Sequence, residues 1–140
     1  ASTFKNGHYS GCQTRNSFLA VPYHRRKRLR LINYSHPITE RQKMDIEHAC
    51  YFEIQIENIP VQLDVEQSLM LQVSQLLPRI APHESILVRL PGYPEAAALL
   101  LQLLLDKAAL VTVVCMKSRK TQIGVDYIFK ECIVLAGDKE

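Results

Sequence analysis

No Gly-x-Gly-x-x-Gly run and no Gly-x4-Gly-Lys-Ser/Thr run occurs in this chain, so the glycine loops that cradle dinucleotides and nucleoside triphosphates are missing. No Gly-x-Ser-x-Gly nucleophile elbow is present either. The four cysteines, Cys12, Cys50, Cys115 and Cys132, form no Cys-x-x-Cys pair. The five histidines, His8, His24, His36, His48 and His83, fall at no zinc-binding spacing. No metal and no cofactor is therefore expected, and any catalysis would be metal-independent. Long apolar runs are absent too. The longest, Ala96 to Leu105, is far short of the roughly 20 residues that span a bilayer, and the amino-terminal stretch lacks the apolar core of a signal peptide. A cytoplasmic protein with reduced thiols, and no membrane partner, is the expectation.

Acid is missing from residues 1–30, which hold Lys5, Arg15, Arg25, Arg26, Lys27, Arg28 and Arg30. Residues 31–140 then carry ten bases against fourteen acids, so the formal charge of +3 belongs to the amino-terminal end alone. A folded body that grips a long duplex would carry the positive charge itself. Duplex DNA is therefore not an expected partner. Residues 1–27 mix Ser, Asn, Gly, Gln and Thr with scattered aromatics and show no sustained periodicity, which predicts a flexible basic extension. The run Arg25–Arg28 reads as a solvated tail before it reads as a nucleic-acid contact.

What is present, in 140 residues of 47% hydrophobic content, suffices for one core, which places a single domain over residues 28–140. Strands are expected near Leu29–Tyr34, Tyr51–Ile59, Ile86–Leu90, Leu110–Met116 and Val125–Leu135. The second alternates Phe52, Ile54 and Ile56 with Glu53, Gln55 and Glu57, as an edge strand does. Ile86-Leu87-Val88 and Leu110–Val114 lack alternation, as strands covered on both faces do. Thr39 with Gln42 is a capping-box pair that opens a helix to about Ala49. Asp64 with Gln67 repeats it for a second helix, with Leu69, Val73, Leu76, Leu77 and Ile80 on one face and Pro82 as its end. A third helix follows Pro91-Gly92-Tyr93-Pro94. The succession predicts an α/β, Rossmann-like domain: a mostly parallel sheet, helices on both faces, and an antiparallel carboxy-terminal strand reached through the short link Ser118–Gly124.

The third helix is apolar on nearly every side. One side would cover the sheet and the other, over residues 95–107, would meet a second copy in a homodimer. The alternative is that the second helix and the last strand cover it within one chain.

Ligands of open α/β sheets sit beyond the carboxyl ends of the parallel strands. That edge should gather Asn33–Pro37, Leu90–Tyr93 and Met116–Lys120. The candidate ligand contacts are Asn33, Tyr34, Ser35, His36, Arg89, Pro91, Gly92, Tyr93, Lys117, Ser118 and Arg119, with Lys120 beside them. Amides and hydroxyls can read a nucleobase, an aromatic ring can stack on it, and basic side chains can hold phosphate, so a small nucleotide ligand is expected. Each residue also has a plainer role open to it: Ser35-His36-Pro37 as a turn, Tyr93 as a cover for the apolar helix, Lys117–Lys120 as a solvated turn.

Three ordered segments resemble a known family. Leu31-Ile32-Asn33-Tyr34-Ser35-His36-Pro37-Ile38-Thr39-Glu40, then Ile59-Pro60-Val61-Gln62-Leu63-Asp64, then Ile86-Leu87-Val88 leading to Pro91-Gly92 and the Ala/Leu-rich helix, resemble the Csx-fifteen group of small type III CRISPR ancillary proteins. The likeness covers about residues 28–116. The group is similar to CARF domains, the CRISPR-associated Rossmann-like sensors of cyclic oligoadenylates. The resemblance implies a CARF-like homodimer whose paired loops bind cyclic tetra-adenylate and withdraw it from effector nucleases as a sponge. A related activity, cleavage of the ring, would make it a metal-independent ring nuclease. The ribose 2′-OH would then attack, with His36 as acid or base and Lys117 or Arg119 stabilising the phosphoryl charge. A structural or adaptor subunit without a nucleotide ligand is the third possibility. The chain departs from the group's pattern at Arg89-Leu90, where Asn and Pro are expected, and Arg89 would there offer a phosphate contact.

Overall fold

The computed structural model describes residues 2–3, 8–9, 27–108 and 110–137. Five long strands form one mixed sheet: β3 (Arg28–Asn33), β4 (Glu53–Asn58), β5 (Ser85–Arg89), β6 (Leu110–Thr121) and β7 (Gly124–Gly137). Their spatial order is β4-β3-β5-β6-β7. β3 runs parallel to both β4 and β5, β5 runs parallel to β6, and only the β6–β7 pair is antiparallel. Two short strands, β1 (Ser2–Thr3) and β2 (His8–Tyr9), pair antiparallel with β7. The rest of the expected extension, residues 1, 4–7 and 10–26, lies outside the described residues. The domain is thus α/β and Rossmann-like, as the sequence predicts.

Consecutive residues of β3 explain the layering. Leu31 and Ile32 point to opposite faces and both are wholly buried. Leu31 packs with Leu87 and Val114 beneath helix α1 (Glu40–Cys50), through Ile46, Ala49 and Cys50. Ile32 packs with Ile86, Val88 and Val111 beneath helix α3 (Pro94–Lys107), through Ala96, Leu100 and Leu104. Helix α2 (Leu69–Ser74) adds Val73 to that second layer. On the first layer the thiols of Cys50 and Cys132 lie 3.3 Å apart, joining α1 to β7.

The first cap is as expected. The Gln42 amide donates to Thr39 Oγ1 at 3.1 Å, and the Thr39 amide donates to Gln42 Oε1 at 2.9 Å. The second helix differs. Asp64 does not cap it: the Gln67 amide donates to Asp64 O at 3.1 Å and the Glu66 amide to Asp64 Oδ1 at 2.9 Å, which makes a turn. Ser68 caps α2 instead, accepting from the Leu71 amide, and the helix stops at Ser74. Pro78 accounts for the early stop, because a proline pushes the residue before it out of the helical region. Leu76, Leu77 and Ile80 still reach the core, from the extended segment beyond the helix.

Arg30 ties three pieces of chain together. Its Nε donates to Glu57 Oε1 of β4 at 2.7 Å, and its NH1 donates to Glu84 at 3.1 Å and to Arg79 O at 2.8 Å. The segment leading into β5 is thereby held against the edge of the sheet.

The leucines of α3 are used within the chain. Leu100, Leu104 and Leu105 are buried, and Leu99, Leu101 and Leu103 pack against the same core. The residues left to solvent include Glu95, Ala98, Gln102 and Asp106, a largely polar stripe. The structure therefore follows the alternative in which α2 and the last strand cover this helix, and residues 95–107 are left with a largely polar outer stripe in place of a broad apolar face. No helix among the described residues is long and apolar enough to cross a membrane.

Candidate functional site at the carboxyl edge of the sheet

β3 leads into α1 on one face of the sheet and β5 leads into α3 on the other, so the two connections part above the β3–β5 junction. A crevice at such a switch point is where open α/β sheets take ligands.

Asn33 builds the first wall. It is buried at the end of β3, where its amide nitrogen donates to His36 O and to Asn58 Oδ1, both at 2.9 Å. Its side-chain oxygen accepts from the Ser35 amide at 3.1 Å. With these bonds satisfied internally, Asn33 shapes the Ser35-His36 turn rather than facing a ligand. Tyr34 is likewise anchored: its hydroxyl donates to Leu76 O at 3.0 Å and its amide to Arg89 O at 2.9 Å. Burial pushes its phenol pKa well up, so the hydroxyl stays protonated.

The second wall comes from β5 and the start of α3. Pro91 is buried, whereas Gly92 and Tyr93 are exposed. Tyr93 caps α3 without a side-chain hydrogen bond, and Pro94 occupies the first turn. The first-turn amides thus lack a side-chain acceptor at their end of the crevice. Between the walls lies a cleft of about 440 Å³, bounded by Tyr34, Ser35, His36, Pro91, Gly92 and Tyr93, with Val61 and Leu63 as its apolar side. Val61 and Leu63 are absent from the sequence expectation. The signal was available, since β4 is also parallel and its following loop, Ile59–Leu63, must reach the same edge.

A second, smaller hollow of about 50 Å³ lies across the Ser35-His36 turn, on the α1 face of the sheet. Arg89, Met116, Gln42 and Tyr127 border it together with the turn. Arg89 is half-buried, and among the described residues its guanidinium has no ion pair or hydrogen-bond partner. Burial lowers its pKa, while Cys115 and Tyr127 act in the opposite sense. Two larger hollows elsewhere are open grooves, one beside the outer strand β4 and one at the α2–α3 end, away from this edge.

The third expected loop is not a loop. Lys117, Ser118, Arg119 and Lys120 continue β6 and pair with Ile128, Tyr127, Asp126 and Val125 of β7. The chain reverses only at Thr121–Gly124, where Thr121 Oγ1 donates to Gly124 O at 3.1 Å and accepts from the Ile123 amide at 3.3 Å. β5 pairs with β6 only as far as Val113, so the outer halves of β6 and β7 stand beyond the sheet as a two-stranded arm. Arg119 is held by Asp126, with Nε and NH2 donating at 3.1 and 2.7 Å. Lys117, Ser118 and Arg119 border neither hollow. The expected pairing of His36 with Lys117 therefore has no shared cavity. His36 shares one with Arg89 instead.

Among the described residues, no group of three or more His, Cys, Asp and Glu is arranged to hold a metal ion. Cys115 is partly buried and burial raises its thiol pKa, which keeps it protonated and a poor nucleophile near neutrality. Compared with family models, curated proteins and solved structures, the chain matches none of them.

Proposed function

We propose that this edge binds a cyclic oligoadenylate, with cyclic tetra-adenylate the preferred ring, and that the protein serves as a sponge for the messenger of type III CRISPR signalling. The observation that carries the reading is the cleft at the switch point. An exposed aromatic, Tyr93, faces apolar Val61 and Leu63 across a space of about 440 Å³, within the usual range of small-molecule sites. A planar base suits such walls, and the first-turn amides of α3 and the guanidinium of Arg89 favour the negative charge attached to it. The resemblance of residues 28–116 to the Csx-fifteen group supports the same ligand.

One cleft of this size suits about one nucleotide, so a ring of four calls for more than one cleft. A homodimer with two loop edges facing each other supplies them, and exposed Tyr93, Ile123, Val125 and Tyr127 near that edge would be covered in the process. Sequestration ranks above cleavage because Lys117, the cation expected to assist His36, borders neither hollow.

The test uses labelled cyclic tri-, tetra- and hexa-adenylate, incubated with the protein without added metal while retention and conversion are read from the same samples. Retention of the tetra-adenylate without conversion is expected, with loss of retention in Tyr93→Ala and a mass in solution of two chains. Conversion to linear product would make the protein a ring nuclease. Absence of both, in a folded sample, would remove the messenger and leave an adaptor role.

A further inference from the structure

We infer that the hollow under Arg89 is a separate subsite for one tetrahedral oxyanion, so that a bound nucleotide straddles the Ser35-His36 turn with its base on one side and its phosphate on the other. The inference rests on the nucleotide reading for its second half only; the oxyanion site stands on its own observations.

The first observation is the unpartnered cation. A half-buried guanidinium is a costly group to leave without an acceptor, and no ion pair or hydrogen bond among the described residues reaches it. Glu57 and Glu84 are taken by Arg30, and Asp126 is taken by Arg119 on the opposite face of the arm. Arg89 therefore borders a space in which no acceptor among the described residues engages its planar donors.

The second observation is size and closure. About 50 Å³ exceeds the room needed for a water molecule but is too small for a nucleobase with its sugar. A bridge joins two residues of its border: Gln42 Nε2 of α1 donates to Tyr127 O of β7 at 2.6 Å. The remaining border includes Ser35 and His36, residue types that carry a hydroxyl and an imidazole, beside Met116 and Ile38. A compact oxyanion with oxygens in several directions matches one guanidinium plus flanking hydroxyl and imidazole donors, and a planar apolar group does not.

The third observation is connection. Ser35 and His36 border both hollows, so the turn pinned by Asn33 is a wall they share. A group in the large cleft and an anion under Arg89 can belong to one ligand.

The experiment uses the full chain and inorganic phosphate as the first probe, followed by adenosine and adenosine 5′-monophosphate. Nitrogen-15 spectra of the Arg89 side chain and of the Ser35-His36 amides report occupancy, and circular dichroism with thermal melting confirms that each variant is folded. Saturable phosphate binding is expected in the wild type. It should weaken by about tenfold or more in Arg89→Met and persist in part in Arg89→Lys. The monophosphate should bind tighter than adenosine, and Arg89→Met should erase that difference. Phosphate binding that ignores Arg89→Met in a folded sample, or no saturable binding at all, would overturn the subsite. Phosphate bound under Arg89 with neither adenosine nor its monophosphate retained would uphold the oxyanion site for the free ion and defeat the nucleotide reading instead.

Discussion

At the scale of single residues, the site is held by groups that do not face it. Asn33 spends its amide on His36 O, Asn58 and the Ser35 amide, all from a buried position. Asn33→Ala should cost about 2–4 kcal/mol in urea unfolding, because it removes three hydrogen bonds and strands their partners. Gly92 is the converse case. A Cβ added there meets nothing within 4 Å, so Gly92→Leu should leave the melting temperature nearly unchanged while its side chain occupies the cleft and abolishes ligand retention. On the arm, the hydrogen bonds from Arg119 hold the Asp126 carboxyl below its ordinary value. A carboxyl depressed on folding adds stability above its unfolded pKa and loses it as pH falls through the folded pKa. Carbon-detected titration should therefore place Asp126 below the normal aspartate range, and Arg119→Gln should bring it back up. Because the pair is exposed, acid should loosen the arm and leave the core intact.

At the scale of elements, legibility follows the number of signals that agree. The central strands carry unbroken apolar runs buried on both faces, and α1 carries a reciprocal cap, so both are readable residue by residue. The outer half of β6 is not. Lys117-Ser118-Arg119-Lys120 stands beyond the sheet with both faces near water, and the alternation that marks a strand needs one buried face to appear. Helix α2 misleads for a different reason: leucines spaced for a helix continue past Ser74, but Pro78 decides the backbone and those leucines reach the core without it. The site is half legible: the ends of β3 and β5 are evident and the loop after parallel β4 points to Val61 and Leu63 in the cleft, while Gln42 and Tyr127 reach the smaller hollow only through the tertiary fold. The arm's own weak point is Gly124, whose φ of 148° lies where a side chain is strained. Gly124→Ala should cost about 1–3 kcal/mol, read as faster amide exchange over residues 117–128 with protection of β3 and β5 preserved.

At the scale of the whole molecule, the apolar content of α3 serves the interior and does not mark an outer face. Leu100 and Leu104 are wholly buried, so Leu100→Ala should lower stability by about 2–5 kcal/mol without changing the mass in solution. A change of mass with stability intact would return the contact between copies to this helix. The same interior has a consequence for how the protein comes into being. β6 and β7 meet through a turn of a few residues, whereas β3 must find β4 and β5 across whole helices, and close partners along a chain find each other sooner. Leu31 and Leu87 are covered with the help of Val114 and Cys132, which follow them in the chain. The β6–β7 hairpin is thus the keystone of the arch. A chain lacking β7 would keep its apolar strands bare to chaperones and proteases, so a small deletion within β7 would be felt as loss of the protein, well before any question of what its upper edge can hold.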